Sequence, residues 1–490
     1  MITLKQERLD MAIEYPSMQN QGPTLPPKEV INPTPQPPQP SGAAPLIGMT
    51  PPLPKKKFSF LPFVILIVLV LIAVGFFVFK NMAAKKVTNQ EVTLTWWGLW
   101  EDNTMTAALI SEYEAKNPKV KIKYVKQSQQ DYRERLTNAL AKGTGPDIFR
   151  FHNTWVPMFK NELDYLPASV MSASEFAQTF YPVASADLTS KTGIVGIPLM
   201  YDGLALFINE DLFAKEGKSV PVTWDDLRET AKALTVKDEQ GTITQAGVAL
   251  GRTENVDHWQ EILALMMLQN HVNLAKPTDQ LASDALTFFT VFSAVDGVWN
   301  QALPTSTVAF AAGKLAMYFG PSWRALEIKA QNPTLKFKVV PVPQPAKINQ
   351  SEADITYATY WAEGVWSRSP NKLEAWKFLK YLSEKASLEK LYQAAAKTRP
   401  FGEPYSRVDM AGLLSTDPIL GSIISLAPNA QSWYLASRTW DGPTGINTQI
   451  SKYFEDAVNS VNLGNPAGKA LETVATGVAQ VLSQYGLVAQ

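Results

Sequence analysis

At 490 residues the chain is too long for one ordinary domain, and 46% hydrophobic against 18% charged residues supplies material for more than one core. The absence of cysteine excludes disulfides, thiolate metal sites, cysteine nucleophiles and a lipid anchor on cysteine, while His152, His258 and His271 show no metal-ligand spacing. The zero net charge hides a gradient: residues 91–490 carry 36 basic and 41 acidic side chains, the wrong sign for a nucleic-acid surface.

Thirteen of the 35 prolines lie between Pro16 and Pro54, so residues 1–57 read as a disordered Pro-rich tail with local polyproline II character. Residues 58–79, FSFLPFVILIVLVLIAVGFFVF, run without a charge. At about 1.5 Å per residue a helix of that length spans a bilayer's hydrocarbon core, so one transmembrane helix is expected. A cleaved signal peptide fits poorly, because 57 residues precede the run. Lys55, Lys56 and Lys57 flank one end and Lys80, Lys85 and Lys86 the other, which tips orientation only slightly towards an inside N-terminus. Residues 80–90 form a linker.

From Glu91 the pattern alternates. Residues 91–97 are β-prone, and 104–116 place Met105, Leu109 and Tyr113 at fourfold spacing before Asn117-Pro118 stops the helix. Val120, Ile122 and Tyr124 alternate with lysines in a second strand. Tyr132, Leu136 and Leu140 mark a second helix ended by Gly143, and 148–151 form a third strand. This βαβαβ run predicts a parallel sheet with helices on its faces. A further strand is expected at 203–209, and Thr223 with Asp226 forms a capping box. There is no internal repeat.

Nucleotide loops fail. AAGKL at 311–315 lacks the first Gly and the Ser/Thr of a P-loop, GTGPDI at 143–148 is not GxGxxG, and no GxSxG elbow occurs. A glycosidase-type carboxylate pair is not readable from sequence, because its spacing lies in space. The chain does place aromatics in loops. Trp96, Trp97 and Trp100 follow the first strand, and Trp155 follows the third, after His152 and Asn153. Ligands of parallel α/β sheets collect at these carboxyl ends. Trp259, Trp323, Trp361, Trp433 and Trp440 also fall at element ends, whereas Trp224 and Trp376 lie inside helices and read as core. Indole faces stack on sugar rings, and carboxylates and amides take the hydroxyls.

At these residues the sequence resembles the family 1 extracellular solute-binding proteins, the sugar receptors of ABC importers. VTLTWWGLWED at 92–102, YEAKNPKVKIKYV at 113–125, ALAKGTGPDIFRF at 139–151, GIPLMYDGLALFINEDLF at 196–213, VTWDDL at 222–227, AFAAGKLAMYFGPSW at 309–323 and SPNKLEAWKFLKYLS at 369–383 follow the family pattern in order. The resemblance implies an α/β, two-lobed, periplasmic-binding-protein-like fold of type II, preceded by the transmembrane helix. Lobe I would comprise 91–201 and 360–412, and lobe II 202–358 and 413–490. Crossings would lie at 200–204, 357–362 and near 408–413, with ligand held in the interlobe cleft.

Carried over by position, Asp202 falls where maltodextrin-binding relatives place a cleft carboxylate, and Trp323 where they place a stacking aromatic. Trp100 and Glu101 fall in the loop after the first strand. Phe151, His152, Asn153 and Trp155 fall in the loop after the third. Tyr360 and Trp361 fall at the second crossing, Trp259 at an element end, and Trp440 where the pattern is loose. Many relatives hang from the membrane by a lipidated cysteine, which the helix at 58–79 would replace. The implied function is a membrane-anchored extracellular or periplasmic receptor, with the Pro-rich tail in the cytoplasm. It would deliver a small carbohydrate or oligosaccharide to ABC permease subunits by cleft closure. It is not an enzyme, and no catalytic residue, cofactor, metal or nucleic acid is implied. The alternatives are an anchored glycoside hydrolase or transglycosylase, or the same fold binding a non-sugar solute or serving as a sensor.

Overall fold

The first strand, β1 (Val92–Gly98), is followed by helix α1 (Asn103–Lys116), β2 (Val120–Lys126), α2 (Tyr132–Ala141) and β3 (Ile148–His152) in the computed structural model. The structure describes residues 69–76, 91–347, 349 and 351–487. The Pro-rich tail and the 80–90 linker therefore lie outside the described residues. Of the apolar stretch at 58–79 only 69–76 are described. They are helical, and Leu69, Val70, Leu71, Ile72, Val74 and Phe76 are 53 to 65% exposed. Among the described residues no helix is long and apolar enough to cross a membrane.

The expected periodicities become buried faces. Tyr132, Leu136 and Leu140 are fully buried, Val120, Ile122 and Tyr124 are buried, and Lys121 and Lys123 between them are exposed. On α1 it is Thr106 that is buried beside Leu109 and Tyr113, with Met105 only half-buried. Gly143, at φ 75°, supplies the left-handed residue that ends the second helix.

Apart from four two-residue strands that form two small ribbons, the further strands are β4 (Ile197–Pro198), β5 (Ala205–Asn209), β6 (Val236–Lys237), β7 (Ile243–Val248), β8 (Leu315–Gly320), β9 (Phe337–Val340) and β10 (Trp361–Val365). They complete two five-stranded sheets. The first has the order β2-β1-β3-β10-β4, and the second β9-β5-β8-β7-β6. Strands β2, β1 and β3 are parallel, as the βαβαβ pattern predicts, but the sheet is mixed: β10 runs antiparallel to both β3 and β4. In the second sheet only β7 and β8 are parallel.

The chain passes from the first sheet to the second between β4 and β5, and back between β9 and β10. These passages are tied together. Leu204 N donates to Tyr357 O at 2.9 Å, Thr359 N to Asp202 O at 3.0 Å, and Gly203 bridges Ala358. A Cβ on Gly203 would lie 2.8 Å from Tyr357 O, so the approach requires glycine. Later the chain returns to the second sheet's side, where Ser422 Oγ donates to Val339 O at 2.9 Å. Helices Ile446–Asn462 and Ala467–Gln484 pack on each other and on Gln280–Ala294. The capping box opens helix Trp224–Leu234, with Thr223 and Asp226 exchanging hydrogen bonds of 3.1 Å.

Candidate ligand cleft

At Gly98, the last residue of β1, a Cβ would collide with the Tyr124 ring, so the close approach requires glycine, and Tyr124 Oη donates to Glu101 O at 2.8 Å. That fixes the loop carrying Trp100. Beneath it Arg150, on β3, donates from Nη1 to both Glu101 oxygens (2.9 and 2.7 Å) and from Nε to Glu363 Oε1 (2.8 Å). Trp96 Nε1 completes the shell of Glu363 at 3.1 Å. Burial disfavours the charged guanidinium, but the two carboxylates outweigh it and hold Arg150 well above its ordinary value. Burial pushes Glu363 up.

Trp361 starts β10 and meets Trp100 edge-on at 5.4 Å, and Trp440 lies 5.5 Å from Trp100 and 6.1 Å from Trp361. Trp440 holds φ 47°, a left-handed backbone that is costly for a bulky residue. The three indoles form one aromatic wall. From the second sheet, Gly320-Pro321-Ser322 leads out of β8 to Trp323, half-buried at the head of helix Arg324–Gln331. The Arg324 guanidinium lies 4.4 Å over the Trp323 ring, and His258 stands edge-on to it at 5.6 Å.

Asp202 joins the two sides. Its carboxylate accepts from Gly203 N (2.8 Å), Ser322 N (3.0 Å) and Ser322 Oγ (2.7 Å), so it staples the first passage to the loop carrying Trp323. Burial pushes its carboxyl up to about 7 against these donors. Between the walls is a cavity of about 320 Å³, within the usual range for small-molecule sites. Trp100, Asp202, Trp323, Tyr360, Trp361 and Trp440 line it.

The other expected residues lie elsewhere. Phe151 is fully buried against the backbone at Gly196 and Gly364. Trp155 is fully buried between Tyr132 and Phe159, a core residue rather than a free indole. His152 is buried beneath Trp361 and bonded to Thr154 and Thr359, and burial lowers it to about 3, so it is neutral. Asn153 donates to Asp187 Oδ2 at 2.9 Å. The Glu101 side chain is taken up by Arg150. Trp259 borders an adjacent open groove that shares Trp440 with the cavity. Trp224 and Trp376 are buried, as their helical positions predict.

Sequence reasoning missed His258, Glu261 and Ser437, which also line the cavity. Arg324 Nε can only donate, so its 2.8 Å contact makes His258 Nε2 an acceptor and puts the proton on Nδ1. Nδ1 faces Ser437 Oγ at 3.1 Å, and Ser437 donates from N and Oγ to Glu261 Oε1 at 2.6 and 2.8 Å. Burial lowers His258, keeping it neutral. For Glu261 burial acts upward, but the His258 imidazole, 3.7 Å from Oε2, and the Ser437 donors prevail and the carboxyl titrates below its ordinary value. Oε2 of Glu261 is buried with no hydrogen-bond partner among the described residues. The available signal was the spacing of His258 and Glu261 around Trp259, one helical turn before a buried helix face.

A family profile described as bacterial extracellular solute-binding protein matches residues 99–388. A Brucella abortus protein named only as a binding protein is 26% identical over 290 residues, covering 56% of this chain and 67% of its own. The diacetylchitobiose binding protein of Streptomyces coelicolor is 22% identical over 263 residues, covering 50% of this chain and 58% of its own. Among solved structures, the sugar-binding protein MalE of Xanthomonas citri aligns with a TM-score of 0.65 at 17% identity, over 80% of this chain and 98% of its own. That last likeness is one of fold, two α/β lobes.

Proposed function

The chain belongs to the bacterial extracellular solute-binding protein family, whose members are binding proteins and not enzymes, and from that premise we propose that it is a membrane-tethered carbohydrate receptor of an ABC importer. The observation that carries this reading is the pair of facing aromatic walls: Trp100 and Trp361 from the first sheet's side, Trp323 from the second's. A pyranose ring offers apolar faces to such rings and hydroxyls to the groups between them. The similarity to a diacetylchitobiose binding protein and a sugar-binding protein supports the same ligand class.

In this reading ligand bridges two bodies, 91–201 with 360–412 and 202–358 with 413–490, and favours their closed arrangement by its higher affinity for it. The apolar stretch at 58–79 anchors the protein in this reading, with the lobes outside and the Pro-rich tail inside. Delivery to permease subunits follows closure.

Calorimetric titration of the detergent-solubilised full chain against a saccharide panel tests the ligand class. Saturable heat is expected, and a panel without any binding would sink the proposal. Scattering should show compaction on ligand addition. Intact-mass analysis of membrane fractions tests the anchor, and a mature N-terminus just after Ala83 or Ala84 would rule it out.

A further inference from the structure

The charges around the cavity do not cancel. Arg399 Nη2 pairs with Glu403 Oε1 at 2.7 Å. Arg438 and Arg324 both reach Asp257 Oδ1, at 3.3 and 3.4 Å, and Arg324 also takes Glu327 at 2.5 Å. His258 is neutral for the reasons given above. Two cavity carboxylates remain, Asp202 and Glu261, at 7% and 0% exposure. Every hydrogen bond they receive comes from a backbone amide or a hydroxyl, and the neutral His258 imidazole stands 3.7 Å from Glu261 Oε2, beyond hydrogen-bond reach. Among the described residues neither pairs with a lysine or arginine.

Both carboxyl groups are held by neutral donors, so the cavity faces two buried acids with no lysine or arginine set against them. Glu261 adds a geometric sign. Its Oε1 is held by Ser437, whereas Oε2, in a residue that lines the cavity, has no hydrogen-bond partner. A neutral sugar hydroxyl would fill the bond but leave the charge unmatched. A protonated amine fills both. The surrounding indoles act in the same direction, since the faces of Trp rings attract cations as well as sugar rings.

We propose that the cleft selects an amino sugar, a pyranose with a protonated amine directed at Glu261 and Asp202, an inference that rests on the carbohydrate reading above. The arginines do not contradict it, because each is matched by a carboxylate of its own. An anionic sugar is disfavoured by the same accounting.

The test uses the detergent-solubilised full chain at about neutral pH and matched ligands. Glucosamine, galactosamine and mannosamine are titrated beside glucose, galactose and mannose, and the disaccharide of two β-1,4-linked glucosamines beside cellobiose and diacetylchitobiose. At least one amine should bind about tenfold tighter than its neutral parent, because a charge-assisted hydrogen bond is about twice as strong as a neutral one. Glu261→Gln should bring that ratio to within about twofold, and Asp202→Asn should lower it. If Glu261→Gln fails to fold, the Asp202→Asn ratio stands in for it.

Amines that bind no better than their neutral parents would overturn the inference and leave the carbohydrate receptor standing. A ratio unchanged in both variants would also overturn it. No binding by any saccharide, or tight binding of spermidine alone, would remove the proposed function together with the inference.

Discussion

On the first-sheet wall of the cleft the charges are paired and set behind the aromatic rings, whereas on the second-sheet wall they reach the cavity itself. Arg150 locks Glu101 and Glu363 under Trp100 and Trp361, and that triad presents indole to the ligand. Opposite, Arg324, His258 and Ser437 pass hydrogen bonds in one direction to Glu261 Oε1, leaving Oε2 of the same carboxylate with no hydrogen-bond partner among the described residues. The first arrangement holds shape. The second leaves a group free to recognise one. A receptor that closes on its ligand needs both, a stiff platform for stacking and polar atoms whose last partner arrives with the ligand.

The largest loss of stability is expected at Arg150. Replacing it with methionine leaves two carboxylates buried without their cation, and breaking such a pair costs about 3–5 kcal/mol. Denaturant melts of Arg150→Met should show a loss of that order. Arg399→Met, at a partly exposed pair, should cost no more than about 1 kcal/mol. Equal losses would mean that the triad is not what stiffens the first wall.

Much of the first sheet was legible because each helix and strand of βαβαβ announces itself locally, by spacing of three to four or of two. The antiparallel strand β10 was not, because its register with β3 joins residues such as Trp361 and His152 across a long sequence separation. The cavity divides along the same line. Trp100 and Trp323 were visible as aromatics stranded just past a strand, with Gly-Pro before Trp323. Phe151 and His152 prove to be the last residues of β3 itself, a strand buried on both faces, and Asn153 and Trp155 turn inward because the chain enters a 3₁₀ turn at Asn153–Trp155 that buries all three of its side chains. Glu101 reads as a loop carboxylate until Arg150 claims it, and nothing local marks β3 as the source of that partner. Glu261 sits on a helix that is apolar nearly all round, so its acid reads as an anomaly without a ligand to explain it.

Two tryptophans of the same chain sharpen the contrast between packing and recognition. Trp323 is half-buried at the cavity, and Trp155 is fully buried. Stacking a sugar ring on Trp323 contributes about 2–3 kcal/mol, at about 25 cal/mol per Å² plus an aromatic contribution, so Trp323→Ala should weaken binding roughly thirty- to hundredfold. Trp155→Ala should instead lower unfolding stability by about 3–5 kcal/mol. Calorimetric titration paired with melts separates them. Lost stability with unchanged affinity in Trp323→Ala would move that residue into the core class.

Asp202 belongs to both walls, and pH addresses it. Its carboxyl is raised by burial to about 7, above the value of about 3.9 for an unfolded aspartate. Between those values the unfolded chain releases a proton that the folded protein keeps, so stability falls as pH rises from about 4 to about 7 and is flat beyond. The slope is at most about 1.4 kcal/mol per pH unit. Asp187, raised by burial to about 6, adds to it over the lower part of that window. Asp202→Asn should abolish the slope between about 6 and 7 and roughly halve it between about 4 and 6, leaving only the part that Asp187 supplies. The amide oxygen can still accept from Ser322, so the staple to the Trp323 loop should largely survive, and Asp202→Asn should cost less binding than Asp202→Ala. Melts across that pH range read the slope, and titrations of both variants read the staple. A slope that persists above pH 6 in Asp202→Asn would assign the titration to another group and detach Asp202 from the electrostatics of the cleft.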